Sequence, residues 1–206
     1  VVLLTGSERW FSAGADLKDE ARWGIADQPL QVQREVNQVG YRMARTWEEL
    51  PQITIAAIEG YAIGGGLALA LACDWRVMAD DAFVSLPEIA LGLPLTWGTL
   101  PRLLALMGPA RAKRLTILCE RVGATEALQM GLVDYAVPPG TTLEKAQEVA
   151  ARVLTMPQPA VRMSKETINA TAYALAHLAS HAGADQFNLA SGSEEASAAR
   201  GRFSRR

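Results

Sequence analysis

Three consecutive glycines, Gly64 to Gly66, join an apolar run rich in β-branched residues to a run of alanine and leucine. The first run, residues 53–58, predicts a buried strand, and the second predicts a helix that continues to Cys73. Glycine at such a junction permits a sharp turn and leaves the backbone N–H groups at the helix start uncovered. A direct passage from strand to helix is typical of an α/β fold.

Alternation of strands and helices extends over much of the chain. Val1 to Leu4 are apolar without alternation, which predicts a strand buried on both faces. Asp16 can cap a short helix over residues 17–22, and Pro29 opens a longer helix that reaches about Leu50. Further apolar runs predict strands at residues 75–78, 82–86 and 133–137. This order favours parallel pairing of the strands.

The character of the sequence changes at about Thr99, and most of the chain beyond that residue is predicted to be helical. Apolar spacing predicts helices over residues 110–118, 124–130, 143–154 and 160–179, with a marginal final helix from Gly183 onward. We therefore divide the chain into an α/β core, residues 1–137, and a helical C-terminal region, residues 138–206.

Composition excludes several classes of function. The chain has 206 residues, of which 50% are hydrophobic, and its formal net charge is −2. That charge gives no general attraction to nucleic acid or to an anionic membrane, and no apolar run approaches the roughly 20 residues of a membrane span. The basic segment 200–206 is interpreted as a solvated chain end. No nucleic-acid or membrane partner is expected, and the cytoplasm is the default location.

Cysteine and histidine are scarce. Cys73 lies in an apolar helical run, and with Cys119 as the only other cysteine no disulfide framework is indicated. His177 and His181 are one helical turn apart and could bind a metal as a pair, but solvent exposure is favoured because no third ligand is near in sequence. No metal site is predicted.

A second stretch of small residues, FSAGADL at residues 11–17, follows the apolar run at the N-terminus, Val1 to Leu4. Gly14 lets the backbone turn freely, and Ala13 and Ala15 leave room for a ligand to approach the main chain. Tight turning alone is the alternative here, as close packing is for Gly64 to Gly66. The glycines match neither a phosphate loop nor a dinucleotide fingerprint.

Loops that leave parallel strands converge on one edge of the sheet, where α/β folds place ligands. One N–H group from each of the two glycine-containing loops would form a two-donor oxyanion hole for a carbonyl oxygen that becomes an enolate. Loss of one such donor typically costs about 3 kcal/mol of transition-state stabilisation.

A carboxylate completes the set of candidate groups. Glu88 comes directly after a proline in SLPEIALG and is flanked by apolar side chains. Such surroundings can raise the pKa of a carboxyl group toward neutrality, where it transfers protons efficiently in both directions. A surface residue or a helix cap is the alternative interpretation.

The segments FSAGADL, GYAIGGG and PEIALGLP, in this order and at these separations, resemble the crotonase (enoyl-CoA hydratase/isomerase) superfamily. The resemblance continues through GPARAKRL, ATEALQMGLVDYAVP and QPAVRMSKE, and so covers nearly the whole chain. It implies a spiral of ββα units with a helical C-terminal trimerisation region. It also implies an acyl-CoA thioester as substrate, with coenzyme A as part of that substrate and no separate cofactor, and a homotrimer or a hexamer made as a dimer of trimers.

The resemblance also implies roles for particular residues. The oxyanion donors would be the backbone N–H groups of Ala15 and Gly65, Glu88 would be the acid/base, and the region of Ala13 would contact the adenine end of coenzyme A. The residues that it assigns to substrate binding are Ala13, Gly14, Asp16, Leu17, Gly64, Gly66, Ala68, Leu95 and Trp97.

The sequence departs from the family pattern at three places. Typical hydratases carry two glutamates that activate one water, and the position of the first is Ala68 here, which favours a double-bond isomerase that works with Glu88 alone. A hydratase with an atypical water site, another enolate reaction and a non-catalytic CoA-binding subunit stay as alternatives. Residues 92–98 differ from the glycine-rich sequence usual in hydratases, so Leu95 and Trp97 line the acyl pocket or Trp97 fills the core. The strands and helix that precede VVLLTG in the family are not in this sequence, for which a fragment is the economical explanation.

Overall fold

The computed structural model describes residues 1–19, 25, 28–174, 176 and 183–203. His177 and His181, considered from the sequence as a possible metal pair, lie outside the described residues. So do the last three residues of the basic segment 200–206 and residues 20–22 of the helix expected over residues 17–22. Within the described ranges, no group of three His, Cys, Asp or Glu side chains is arranged to hold a metal ion. Nor does any helix in those ranges combine the length and the apolarity that crossing a membrane requires.

Strands and helices alternate through the first part of the chain. In chain order the elements are β1 (Val2–Thr5), α1 (Leu30–Asn37), α2 (Val39–Glu48), β2 (Thr54–Ile58), β3 (Tyr61–Ile63), α3 (Gly65–Leu71), β4 (Trp75–Ala79), β5 (Phe83–Ser85), a 3₁₀ helix (Glu88–Leu91), α4 (Thr99–Ile117), β6 (Val122–Gly123), α5 (Ala124–Met130), β7 (Tyr135–Val137), α6 (Thr142–Leu154), α7 (Gln158–Ala172), α8 (Gly183–Ser191) and α9 (Glu194–Phe203).

The larger sheet has four parallel strands in the order β1-β2-β4-β7. Alternate residues of its central strands enter two separate apolar clusters, because successive side chains of a strand point to opposite faces. Ala56, Ile58 and Met78 belong to the main cluster, whereas Ile55 and Val77 belong to the second, which α6 covers. Parallel pairing is thus confirmed for this sheet.

The first strand differs from its expectation. We predicted a strand buried on both faces, but Val2, Leu3 and Leu4 are only half-buried. The reason is position, since β1 lies at the edge of the four strands that the described residues form. An apolar run without alternation does not distinguish an edge strand from a central one.

The smaller sheet contains β3, β5 and β6, of which β5 and β6 are antiparallel. The sequence analysis missed β3 and β6, which have three and two residues and show too little periodicity to be detected. β3 matters for the site, because Ser12 of the FSAGADL segment forms a parallel bridge with Ala62.

The helices agree with the predictions in outline. The long helix expected over residues 29–50 is broken at Gln38 into α1 and α2. α4 begins at Thr99, earlier than predicted, and contains a non-helical break at Gly108 (φ 74°, ψ 171°) before Pro109. The marginal final helix is two helices, α8 and α9.

Two buried polar contacts attach the C-terminal helices to the larger sheet. Glu59, just after β2, accepts hydrogen bonds from the backbone N–H of Gly140 (3.1 Å) and from the Thr142 hydroxyl (2.7 Å) at the start of α6. Lys165 of α7 forms a buried ion pair with Asp74 (2.7 Å) before β4. The division at residue 137 stays a prediction, and α6 beyond it packs on β2 and β4.

Candidate active site

The FSAGADL segment and the glycine junction meet side by side. The backbone N–H of Ile63 donates a hydrogen bond to the Ser12 carbonyl oxygen (2.9 Å). Gly14 has a φ of +82°, and a Cβ there would lie 2.6 Å from the Ile63 carbonyl oxygen and 3.1 Å from the Gly65 nitrogen. Only glycine fits this position, for its backbone angle as well as for the close approach. The two loops thus come together at the N-terminus of α3.

Each glycine of the junction touches a different group. A Cβ at Gly64, whose φ is +55°, would lie 2.8 Å from the carboxylate Oε1 of Glu88. A Cβ at Gly65 would lie 2.8 Å from ring carbon Cη2 of Trp97, and one at Gly66 would collide with Ser12. Close packing therefore accounts for all three glycines. Two of the groups packed on them, Glu88 and Trp97, are among the predicted site residues.

Glu88 is held by a short local structure. It is the first residue of the 3₁₀ helix, its carbonyl oxygen accepts a hydrogen bond from the Leu93 N–H (2.9 Å), and Gly92 ends the helix with a φ of +73°. The side chain is half-buried, and its Oε2 has almost no contact with solvent. The carboxylate thus points inward, toward the junction, instead of lying on the surface.

Leu95 and Trp97, predicted as a pair, lie in different environments. Leu95 is buried in the main apolar cluster, which favours a packing role. Trp97 is half-buried, and its indole lies against Gly40 of α2 as well as against Gly65. The segment between the 3₁₀ helix and α4 therefore contributes one side chain to the core and one to the region of the glycine junction.

The remaining predicted residues differ in exposure. Ala68 is buried in α3, where its methyl group can neither accept a proton nor orient a water molecule. Asp16 is exposed, and its Oδ1 accepts a hydrogen bond from the Lys18 N–H (2.8 Å). Ala13 is exposed, while Ala15 and Leu17 are half-buried.

Three residues near the site escaped the sequence analysis. Arg102 donates a hydrogen bond from Nη1 to the Trp97 carbonyl oxygen (2.8 Å) and forms a buried ion pair with Glu48 (2.8 Å). Gly40 provides the flat surface on which the indole lies. The ion pair and the contact of Gly40 with the indole each join residues that are distant in the chain, so no local pattern could have identified them.

Comparison with known proteins shows the family to which the chain belongs. A sequence model of the family described as enoyl-CoA hydratase/isomerase matches residues 1–204. The chain belongs to the enoyl-CoA hydratase/isomerase family. The superfamily that the motifs FSAGADL, GYAIGGG and PEIALGLP indicated is thereby confirmed.

Relatives within the enoyl-CoA hydratase/isomerase family are longer than this chain. The crotonyl-CoA hydratase of Syntrophomonas wolfei subsp. wolfei is 35% identical over 170 residues, which are 82% of this chain and 64% of the relative. The short-chain-enoyl-CoA hydratase of Clostridium acetobutylicum is 34% identical over 169 residues, or 82% of this chain and 63% of that protein. The chain thus spans less than two thirds of the length of these curated relatives.

A solved structure of the same family shares the fold. The crystal structure of an enoyl-CoA hydratase from Mycobacterium avium subsp. paratuberculosis K-10 matches with a TM-score of 0.83 and 29% identity. The match covers 99% of this chain and 76% of that one. The predicted crotonase-like α/β fold with a helical C-terminal region is confirmed.

Proposed function

We propose that the chain acts on acyl-CoA thioesters, stabilises an enolate at the thioester oxygen, and moves a double bond along the acyl chain with Glu88 as the acid/base. One observation carries the proposal. Oε1 of Glu88 lies against Gly64, next to the Gly65 nitrogen that the FSAGADL segment approaches through Gly14. The closeness of the Glu88 carboxylate, the Gly65 nitrogen and the loop that contains Gly14 supports the proposal.

The amide donors act on the thioester carbonyl. Its oxygen accepts hydrogen bonds from the backbone N–H groups of Ala15 and Gly65, and the N-terminus of α3 adds its partial positive charge. These interactions strengthen as the oxygen becomes an enolate, because negative charge develops there in the transition state. Each donor of this kind is worth about 3 kcal/mol.

Glu88 moves the proton. With a 3-enoyl thioester, its carboxylate removes a proton from C2, the C3–C4 double bond shifts to C2–C3, and the Glu88 carboxyl group, whose proton can exchange with solvent, delivers a proton to C4. No water or second carboxylate enters this sequence, which suits the alanine at position 68. General acid–base catalysis of this type contributes about 10²- to 10⁴-fold in rate.

Hydration of a 2-enoyl thioester is the second candidate function. The names of the relatives favour it, since those of Syntrophomonas wolfei and Clostridium acetobutylicum are called hydratases. Ala68 disfavours it, because hydration in this family uses a pair of glutamates, and Glu88 alone would have to activate the water.

Replacement of the proposed base tests the function. Glu88→Gln keeps the size of the side chain but removes its basicity, so we expect at least a 10²-fold loss of kcat with acyl-CoA binding changed by less than about threefold. Turnover is measured with matched 2-enoyl-CoA and 3-enoyl-CoA thioesters in D₂O, with product analysis by mass spectrometry. An enoyl-CoA product with a shifted double bond marks isomerisation, and deuterium in that product shows proton exchange with solvent, whereas a 3-hydroxyacyl product marks hydration.

A matched variant controls for the loss of a carboxylate. Glu148→Gln changes an exposed glutamate of α6 and is expected to retain wild-type turnover. Full activity of Glu88→Gln would refute its role as acid/base. Robust hydration by the wild type, without deuterium exchange on any enoyl-CoA, would refute the isomerase assignment and leave the hydratase.

The assembly proposed for this enzyme is a homotrimer, or a hexamer made of two trimers. Several large apolar side chains are exposed, among them Met163 (66%) and Ile168 (64%) on α7. Apolar groups on an exposed helix face are typical of a surface that another subunit covers.

A further inference from the structure

The backbone at Trp97 adopts an uncommon conformation that its surroundings maintain. Its φ is +61°, in the left-handed region that bulky residues rarely occupy. The Trp97 carbonyl oxygen accepts a hydrogen bond from Arg102 (2.8 Å), whose guanidinium is held by the buried carboxylate of Glu48. A strained residue that is held in place by a buried ion pair points to a functional constraint.

The indole is wedged between two helices. Its pyrrole edge lies so close to Gly40 of α2 that a Cβ there would be 1.9 Å from Nε1. Its benzene edge lies over Gly65, where a Cβ would be 2.8 Å from Cη2 and 2.9 Å from Cζ3. Because α2 and α3 support opposite edges of the ring, the ring cannot swing aside without moving a helix.

The ring lies against the proposed site and outside the main apolar cluster. Trp97 is half-buried and does not belong to the main apolar cluster, whereas Leu95 is buried in that cluster. The benzene edge covers Gly65, and the Glu88 carboxylate lies against the preceding residue, Gly64. An acyl chain whose thioester oxygen accepts a hydrogen bond from the Gly65 N–H must therefore pass beside this ring.

We propose that Trp97 determines substrate specificity by closing the acyl side of the cleft, so that the enzyme selects short acyl groups. The inference rests on the proposed function of the site and adds the substrate class. Arg102 and Glu48 act as positioning residues, since they hold the Trp97 backbone, and Gly40 gives the ring its space.

The expected signature is a dependence of affinity on chain length. An open apolar pocket tightens binding about fourfold for each added methylene. A pocket closed by a fixed ring offers no such gain, and chains that reach the ring bind more weakly. The wild type is therefore expected to bind butyryl-CoA more tightly than octanoyl-CoA.

The test measures equilibrium binding of saturated butyryl-, hexanoyl- and octanoyl-CoA, which the proton shuttle does not consume. For Trp97→Ala we expect the ratio of octanoyl to butyryl affinity to rise at least about tenfold, with a smaller rise for Trp97→Phe. Trp75→Phe is the matched control, because Trp75 packs in the second apolar cluster beneath α6. Its ratio is expected to equal that of the wild type.

The outcomes separate this inference from the function on which it rests. An unchanged ratio in Trp97→Ala, or in Trp97→Phe should the alanine variant fail to fold, overturns the specificity role while wild-type turnover leaves the proposed function intact. Wild-type affinity that already rises with chain length overturns it too. Absence of binding to every acyl-CoA overturns both the specificity role of Trp97 and the proposed function. The expected affinity ratios without turnover of any enoyl-CoA support the specificity role of Trp97 and refute the proposed catalysis.

Discussion

At the scale of single residues, Arg76 shows how the chain buries a charge at the C-terminal end of α3. It is the largest side chain that the described residues bury completely. Its guanidinium donates hydrogen bonds to the carbonyl oxygens of Leu132 and Cys73 (2.8 Å each) and forms an ion pair with Asp134 (3.0 Å). A planar fork of donors can satisfy several acceptors at once, which compensates the cost of removing the charge from water. Arg76 thus joins the end of α3 to the segment before β7.

Cys73, next to this network, supplies a prediction about pH. Burial raises the pKa of the Cys73 thiol from 9.0 to about 11. The pKa of the Cys73 thiol is therefore higher in the folded state than in the unfolded state. The stabilising contribution of the protonated thiol is complete below about pH 9 and is lost as the pH rises toward 11. The advantage of the wild type over Cys73→Ala in free energy of unfolding should therefore fall by about 2 kcal/mol between about pH 8 and pH 10.5.

Urea unfolding of both proteins at the two pH values measures this difference. Tyrosines and lysines also titrate in this pH range, but their contribution to the free energy of unfolding cancels in the comparison with Cys73→Ala, since both proteins contain them. A difference that stays constant with pH would show that the thiol is not buried as described.

Individual site residues were predictable to different degrees. Gly14, Gly64 and Glu88 stand in segments with a distinctive local order, and the structure places them together. Trp97 was ambiguous, because sequence spacing cannot tell a cleft wall from a core residue. Gly40 had no local signal at all, since its requirement for glycine comes from a ring that lies more than one element away in the chain.

At the scale of elements, the ion pair between Glu48 and Arg102 joins the end of α2 to the first turns of α4. Both side chains are buried, and Arg102 also reaches the loop that carries Trp97. Removal of one partner from a buried pair leaves the other charge without compensation, which costs more than the pair itself contributes.

Arg102→Ala is therefore expected to lower the free energy of unfolding by about 3–5 kcal/mol. The double variant Arg102→Met with Glu48→Leu, which removes both charges and keeps apolar volume, is expected to recover a large part of that loss. Urea denaturation measures both. A loss below about 1 kcal/mol for the single variant, as is usual for surface pairs, would show that the pair does not hold these helices together.

Elements with clear end signals were predicted best. α5 has the predicted bounds, Ala124–Met130, and ends at Gly131, whose φ of +78° stops a helix. The first half of α4, which contains Pro101, was missed. The proline lies in the first turn of that helix, where a missing N–H costs nothing. Sequence alone also could not reveal that β1 is an edge strand, since that depends on which strands pair.

At the scale of the whole molecule, the C-terminal helices return to the region of the site. Asp185 of α8 forms an ion pair with Arg34 of α1 (3.0 Å). Ala196 of α9 lies against Gly92, where a Cβ would be 2.4 Å from the Ala196 Cα. Gly92 ends the 3₁₀ helix that begins with Glu88, so α9 supports the segment that bears the proposed base.

The exposed apolar side chains lead to a prediction about assembly. Leu154, Met156, Met163 and Ile168 lie in succession along the end of α6 and through α7, and each is more than half exposed. We expect the protein to sediment as a trimer or a hexamer, and the double variant Met163→Glu with Ile168→Glu to shift toward the monomer, because charges cannot enter an apolar interface without cost. Sedimentation velocity at micromolar concentration measures this. A monomeric wild type would contradict the proposal.

The parallel pairing of the larger sheet also bears on how the native state is reached. Val2 faces Thr54 and Val77 faces Tyr135, so each ladder joins segments that are remote along the chain. The chain loses the entropy of closing those long loops before hydrogen bonds between the paired strands can compensate the loss. Folding of such a topology is therefore slow compared with that of a helical bundle. During that interval the unpaired strand edges are exposed, and exposed edges of this kind are prone to associate with other chains.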